Sequence, residues 1–453
     1  MDTIICDITA FDYWRIPPIV QLLLAGNETD PVLTKLFKEE TVLATREAMA
    51  SSPLCQTWLR PNPATRNIGR AAKDLMPAIS LLAASHRGPV DISVDDRARC
   101  YTPGITRPRF SANDMPFGSS TPIGENLQVT NLPFTLLQLA ARASLTRVIM
   151  LATEACGSFT IYQAPQPIKD ALQTCVRNRR FPVVGGWEPF IDGNGCLTDL
   201  WTRPAPTTAQ ELSRMALDAA PKRGCERLRV AASLVKPDAA SPFEARAGIL
   251  LGLPRQRGGE GHAGLSFNKR INLSSKAKTL AHRSFCLCDL YWEEGLDVEC
   301  QSALVHNKAN SFLSDSDRTT ALRNMGIDVL PLTYDQLKSE ARFAAFSETV
   351  ANIRGKRLKP KTAQIRDAQP GSVGFAAEGG HGSRDPGSVE CATPEGMGAS
   401  DLGDRAALGH GCVPCTGHKC ATCPRLIVEA GRCARFNGHS TTIAPLMWDN
   451  RKA

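Results

Sequence analysis

The sequence predicts a multi-domain α/β protein, and three observations carry the prediction. One is a hairpin signal from Phe285 to Gln301, reading FCLCDLYWEEGLDVECQ. Another is the succession of helical and strand patterns around it, between Ser241 and Ile353. The third is a long upstream region in which helical patterns outnumber strand patterns.

The hairpin reads as follows. Phe285 to Trp292 is aromatic and apolar, as a buried strand is, and Leu296 to Cys300 alternates apolar and acidic residues with the period of a half-buried strand. Glu293-Glu294-Gly295 between them has the composition of a short turn. A turn centred on Glu294 pairs Asp289 with Glu299 and Tyr291 with Asp297. Side chains alternate faces along a strand. Leu290, Trp292, Leu296, Val298 and Cys300 then form a core face. Asp289, Tyr291, Asp297, Glu299 and Gln301 form a polar face. Two carboxylates opposite each other lie with Cβ atoms roughly 5 Å apart, which is destabilising unless something offsets the charge. A hard cation such as Mg²⁺, shared with a phosphate oxygen, does so.

The elements follow in chain order. Residues 1–162 read as a largely helical α+β region. Ile19 to Ala25 and Thr34 to Ala50 suit helices, as does Arg66 to Ala84. Pro89 to Val94 and Leu127 to Thr130 suit strands, and Phe134 to Glu154 is strongly helical. Residues 163–240 read as a helical connector with helices near Thr207 to Ala219 and Gly224 to Lys236. The third unit, residues 241–355, opens with Ser241-Pro242-Phe243-Glu244: an N-cap, a proline suited to the first turn and a capping-box glutamate. A glycine-rich loop, Gly258 to Gly264, leads to the hairpin. A helix from Asp315 to Met325 stops at Gly326, a strand runs from Ile327 to Leu332, and a final helix spans Tyr334 to Ile353. This unit has an ordinary domain length. A basic run, Arg354 to Lys361, crosses into residues 356–453, which continue rich in Gly, Ser, Asp, Ala and Pro. That is the composition of a disordered tail.

Composition narrows the function classes. With 42% hydrophobic and 22% charged residues, most of the 453-residue chain can build a core. No apolar run approaches the roughly 18 residues of a membrane span. The opening MDTIICDITAFDYW has no basic stretch of the kind that begins a signal peptide. Ten of the 16 cysteines, Cys6 to Cys300, are scattered or lie in apolar stretches, which fits reduced thiols in a cytoplasmic protein. The net charge of +8 is compatible with a polyanionic partner.

The chemistry concentrates in Glu244, Asp289, Glu299 and Gln301: a helical glutamate, a strand aspartate, and a glutamate two residues before a Lys or Gln on the next strand. This is the arrangement of PD-(D/E)xK nucleases. Carboxylates there hold a divalent ion that lowers the pKa of bound water and stabilises charge on the scissile phosphate. Alternatively, Glu244 is a capping residue only, and Asp289 and Glu299 are solvated sheet charges.

SPFEARAGILLGLP, CDLYWEEGLDVECQS, His306 and SDSDRTTALRNMGIDVLPLT together resemble an endonuclease-like domain similar to the very-short-patch-repair enzymes. Such domains occur in actinobacterial proteins related to AbiEi-type antitoxins. FDYWRIPP and VTNLPFTLLQLAARASLTRVIMLATEACGSF resemble the N-terminal half of those proteins. The resemblance spans roughly residues 10–355 and rests on the order and spacing of short motifs. It implies a restriction-endonuclease-like domain, a central mixed sheet flanked by helices, that acts on DNA. It implies Glu244, Asp289 and Glu299 as Mg²⁺-side carboxylates, and His306 as the histidine after the central strand. Asp315 and Arg318 match the polar start of the next helix. The position after Glu299-Cys300 is usually acidic or Lys in such domains, and here it is Gln301. Glutamine orients water but supplies no charge. The expectation is therefore a Mg²⁺-dependent DNA endonuclease or a DNA-binding relative of one. The rival is a non-enzymatic, antitoxin-like regulator that binds DNA or a cognate toxin.

In the tail, Cys412, Cys415, Cys420 and Cys423 form paired CxxC units of the kind that ligate Zn²⁺. The gap of four between the pairs is shorter than in zinc ribbons, and an iron–sulfur cluster is the other option. A tail without metal is favoured by surroundings that cannot build a core. The basic run gains affinity for phosphates by counterion release, or serves as a solvated linker.

Overall fold

The computed structural model describes residues 2–60, 70–95, 105–111, 115–301 and 309–357. His306, most of the tail and all four cysteines from Cys412 to Cys423 lie outside the described residues. The fold is mixed α/β with three sheets. A five-stranded mixed sheet runs in the order Thr106–Phe110, Val90–Val94, Thr3–Ile5, Leu127–Thr130, Ser120–Gly124. Thr3–Ile5 at its centre is antiparallel to Val90–Val94 and parallel to Leu127–Thr130.

The region read as a helical connector contains two strands as well as its helices. Glu188–Ile191 and Leu197–Thr202 pair antiparallel, and Leu197–Thr202 also pairs with Phe159–Ile161. A boundary at residue 162 would cut this sheet. The pattern is hard to read because Pro189 sits in the first strand and the register shifts between Pro189 and Ile191. The two expected helices are present as Ala209–Asp218 and Cys225–Leu234.

The third unit is built on a four-stranded mixed sheet, ordered Asp328–Thr333, Leu296–Gln301, Phe285–Trp292, Ser266–Asn272. The hairpin register is as its sequence predicts: Leu290 opposes Val298, Tyr291 opposes Asp297 and Trp292 opposes Leu296. Gly295 closes the turn at φ +88°, where a side chain would be strained. Leu296–Gln301 then pairs parallel with Asp328–Thr333 through the helix Ala309–Asn324.

Helices cover both faces of this sheet. Leu290, Trp292, Leu296 and Val298 pack with Phe243, Leu250, Phe346 and Val350, and the same apolar cluster extends into Leu136, Val148 and Leu228. Full burial of each large side chain there is worth roughly 1.5–3 kcal/mol. On the other face Tyr291, Cys286 and Cys288 pack with Leu273, Ala277, Ala321 and Leu322. The face expected to be polar is therefore also covered: Tyr291 is 7% exposed and Asp297 0%.

The glycine at position 248 sets how closely the first helix approaches the sheet. A Cβ there would lie 2.2 Å from Cζ of Phe267. Gly248→Ala is expected to destabilise the protein by about 1–3 kcal/mol through overpacking, despite alanine's better helix propensity. Urea unfolding of the two proteins measures the difference, and an unchanged midpoint would refute the close approach.

Candidate metal centre

The helix Pro242–Gly252 delivers Glu244 to the sheet, and local chemistry fixes its rotamer. Ser241 Oγ accepts from the Glu244 N–H at 3.1 Å and donates to Glu244 Oε1 at 2.8 Å. Glu244 Oε2 accepts from Ala240 N–H at 2.9 Å and from the Asn268 amide at 2.7 Å. Both oxygens of Glu244 are thus engaged, as a capping residue's are.

Asn268 belongs to an edge strand, Ser266–Asn272, that pairs with Phe285–Trp292. Its φ is +46°, unusual for a residue other than glycine. Both strands turn over at this point. Phe267 packs with the Phe243 cluster, whereas Ile271 packs with the Leu273 cluster. Opposite, Leu290 and Trp292 join the first cluster and Cys286 and Cys288 the second. Alternate residues of a regular strand share a face, so the switch falls at Asn268 and Asp289. There Asp289 Oδ2 accepts from the Cys300 N–H at 2.9 Å, just past the last registered hairpin pair.

Glu299 lies on the side of the helix Ala309–Asn324, where Arg318 takes both its oxygens through Nη1 and Nη2. The guanidinium also stands 3.7 Å from Asp297 Oδ2 and donates to the Leu287 carbonyl. No donor among the described residues reaches either oxygen of the buried Asp297, which, protonated, can itself donate to the neighbouring Glu299. Gln301 is exposed at the end of its strand.

Crowded carboxyls in a low-dielectric setting hold protons. Burial, then the charges of Glu299 and Glu244, push Asp289 up to about 8. Burial and the neighbouring Glu299 push Asp297 up to about 10. Glu244 is raised by burial, against the pull of its three donors. Burial would raise Glu299 too, but Asp297 and Arg318 outweigh it and keep Glu299 low. Near neutral pH the centre therefore keeps Glu299 ionised against the Arg318 guanidinium, with protons on Asp289 and Asp297.

A pH dependence follows. The folded pKa of Asp289 lies above its unfolded value near 4. Its contribution is complete below pH 4 and is lost as pH rises toward 8. His262 acts oppositely: burial and Arg354 lower it to about 4, so its contribution is lost as pH falls from about 6.5. Asp297, raised further, acts in the same direction as Asp289, so thermal unfolding from pH 5 to 9 is expected to show falling stability above pH 6, and Asp289→Asn should make that fall shallower without removing it. An identical pH profile in the variant would contradict the crowding.

The donors suit a hard cation in kind, since all are carboxylate oxygens. As placed, no group of three His, Cys, Asp or Glu side chains among the described residues is arranged to hold a metal. Glu244 is committed to its cap, which leaves Asp289, held by the Cys300 N–H, and Glu299, held by Arg318, as the remaining carboxylates of the predicted set. The sequence named both of them and Glu244. It did not foresee Asn268, whose signal is an interrupted alternation, nor the burial of Asp297.

A second buried ionic cluster lies in the N-terminal unit. Arg15 bridges Asp12 and Glu154, His86 Nδ1 lies 2.9 Å from Asp12, and Asp91 accepts from Arg107 and Arg109. Alternating charges neutralise one another there, which accounts for them structurally.

No protein-family model, curated protein or solved structure matches the chain. Among the described residues no helix is long and apolar enough to cross a membrane.

Proposed function

We propose that the unit of residues 241–355 is a restriction-endonuclease-like domain that hydrolyses DNA with Mg²⁺. The observation that supports this most is the placement of Asp289, bonded to the N–H that follows Glu299, within the same crowded centre as Glu244, a crowding that raises Asp289. Protons and Arg318 offset there the charge that a divalent ion would offset. Mg²⁺ commonly takes only one or two protein carboxylates and completes its shell with water and phosphate oxygens. Asp289 and Glu299 are such a pair. Bound Mg²⁺ would supply Lewis acidity and an activated water. Glu244 acts as a positioning residue, fixing Asn268 and the turnover of the strands. Gln301 and His306 orient water, with no charge of their own at Gln301.

One observation favours a second reading, a DNA-binding relative that does not cut. Arg318 already closes both oxygens of Glu299. A regulator of the antitoxin kind, binding DNA or a cognate toxin, would keep such a closed centre.

Incubation of supercoiled plasmid with the full chain, in Mg²⁺ and in EDTA, separates the readings. Nicked or linear product only in Mg²⁺ is expected. Salt-sensitive binding without cleavage in Mg²⁺ or Mn²⁺ would favour the second reading. Neither binding nor cleavage would overturn the nuclease reading and the DNA-binding form of the second.

A further inference from the structure

A cleft of about 440 Å³ runs along the strand Ser266–Asn272. One wall is Leu265 with residues 266–270 of that strand, and the other is Lys236-Pro237-Asp238. The strand is the outermost of its sheet, so the cleft opens at the sheet's edge. Three cations line it, Lys236, Lys269 and Arg270, against the single acid Asp238. Lys236 and Arg270 are exposed. Lys269 pairs with Glu293 at 2.9 Å on the exposed surface, a contact worth little against a denser negative charge. Arg270 lies over the Phe285 ring at 3.9 Å, which holds its planar head in place. The cleft is also tied to the candidate centre. Asn268 lines it, donates to the Asp238 carbonyl at 2.8 Å, and holds Glu244 Oε2.

We infer that this cleft binds the phosphodiester backbone of DNA, with Lys236, Lys269 and Arg270 as its phosphate contacts. The inference rests on the nuclease-like reading for the identity of the polyanion. The left-handed Asn268 and the lysine on the edge strand fit this assignment better than an added peptide strand, because both features guard an edge against strand pairing. Phosphate contacts carry affinity without sequence information, so the cleft supplies grip and orientation.

The test is fluorescence anisotropy of a short labelled DNA duplex with the full chain, over a series of NaCl concentrations in EDTA. The variant is Lys236→Gln/Lys269→Gln/Arg270→Gln. Each phosphate contact contributes about 0.9 to the slope of log K against log salt. The slope is expected to become shallower by about 3. A control that removes equal charge elsewhere, Lys35→Gln/Lys38→Gln/Lys73→Gln, should leave it in place. If the triple variant does not fold, Lys236→Gln alone should lower the slope by about 1. An unchanged slope in a folded variant overturns the cleft assignment, as does a preference for an RNA duplex over DNA in competition. Mg²⁺-dependent plasmid cleavage in the same preparations keeps the two ideas apart. Cleavage with an unchanged slope sinks the cleft alone. A reduced slope with no cleavage by any preparation sinks the catalytic reading and leaves the cleft.

Discussion

Arg318→Met is expected to destabilise the protein by about 1–3 kcal/mol at pH 8, because it leaves a half-buried carboxylate without its partner. Arg318 is 17% exposed and closes both oxygens of Glu299, itself 17% exposed. Asp297, fully buried, stands 3.7 Å from the same guanidinium. Methionine replaces the stem but not the charge. The loss should shrink at pH 5, where Glu299 freed of Arg318 takes up a proton instead. Millimolar Mg²⁺ should raise the melting temperature of the variant more than that of the parent, since the ion then meets an open Glu299 without displacing a guanidinium. Differential scanning fluorimetry at the two pH values, with Mg²⁺ and with EDTA, reads all three effects. A variant as stable as the parent at pH 8 would mean that the ion pair has no part in holding the centre.

Asp289→Ala is expected to lower Mg²⁺-dependent cleavage by at least about a hundredfold, in the range lost when an electrostatic contributor to a phosphoryl transition state is removed. The fold should survive, because Asp289 anchors only the Cys300 N–H by a hydrogen bond and sits where the strands change face. Loss of cleavage with retained DNA binding would separate chemistry from grip. Equal cleavage by the parent and the variant would remove Asp289 from the site.

What was legible in the sequence, and what was not, follows from the range of each signal. The hairpin register could be read because alternation in Leu296–Cys300 and a turn glycine at position 295 are local features. The capping role of Glu244 was equally local: Ser241, Pro242 and Glu244 suffice to write it. The strand Ser266–Asn272 escaped because it turns over at Asn268, so Phe267 and Ile271 serve different cores and the period of two breaks. The polar face of the hairpin was misjudged for another reason. Whether Tyr291 and Asp297 meet water depends on the helices Ser275–Ala281 and Ala309–Asn324 above them, and a strand pair carries no signal of what will cover it. Arg318 was noted as the polar start of a helix, but its grip on Glu299 exists only once that helix crosses the sheet.

The central claim is that Asp289 and Glu299 share a divalent ion in place of a proton. Calorimetric titration of Mn²⁺ into the full chain at pH 7, repeated in buffers of different ionisation enthalpy, tests it most directly. One ion should bind the unit with release of close to one proton, because Asp289 is still protonated at that pH, and Asp289→Ala should abolish both the binding and the release. Binding that persists in the variant with the same proton count, or no binding to the parent at all, would contradict the account.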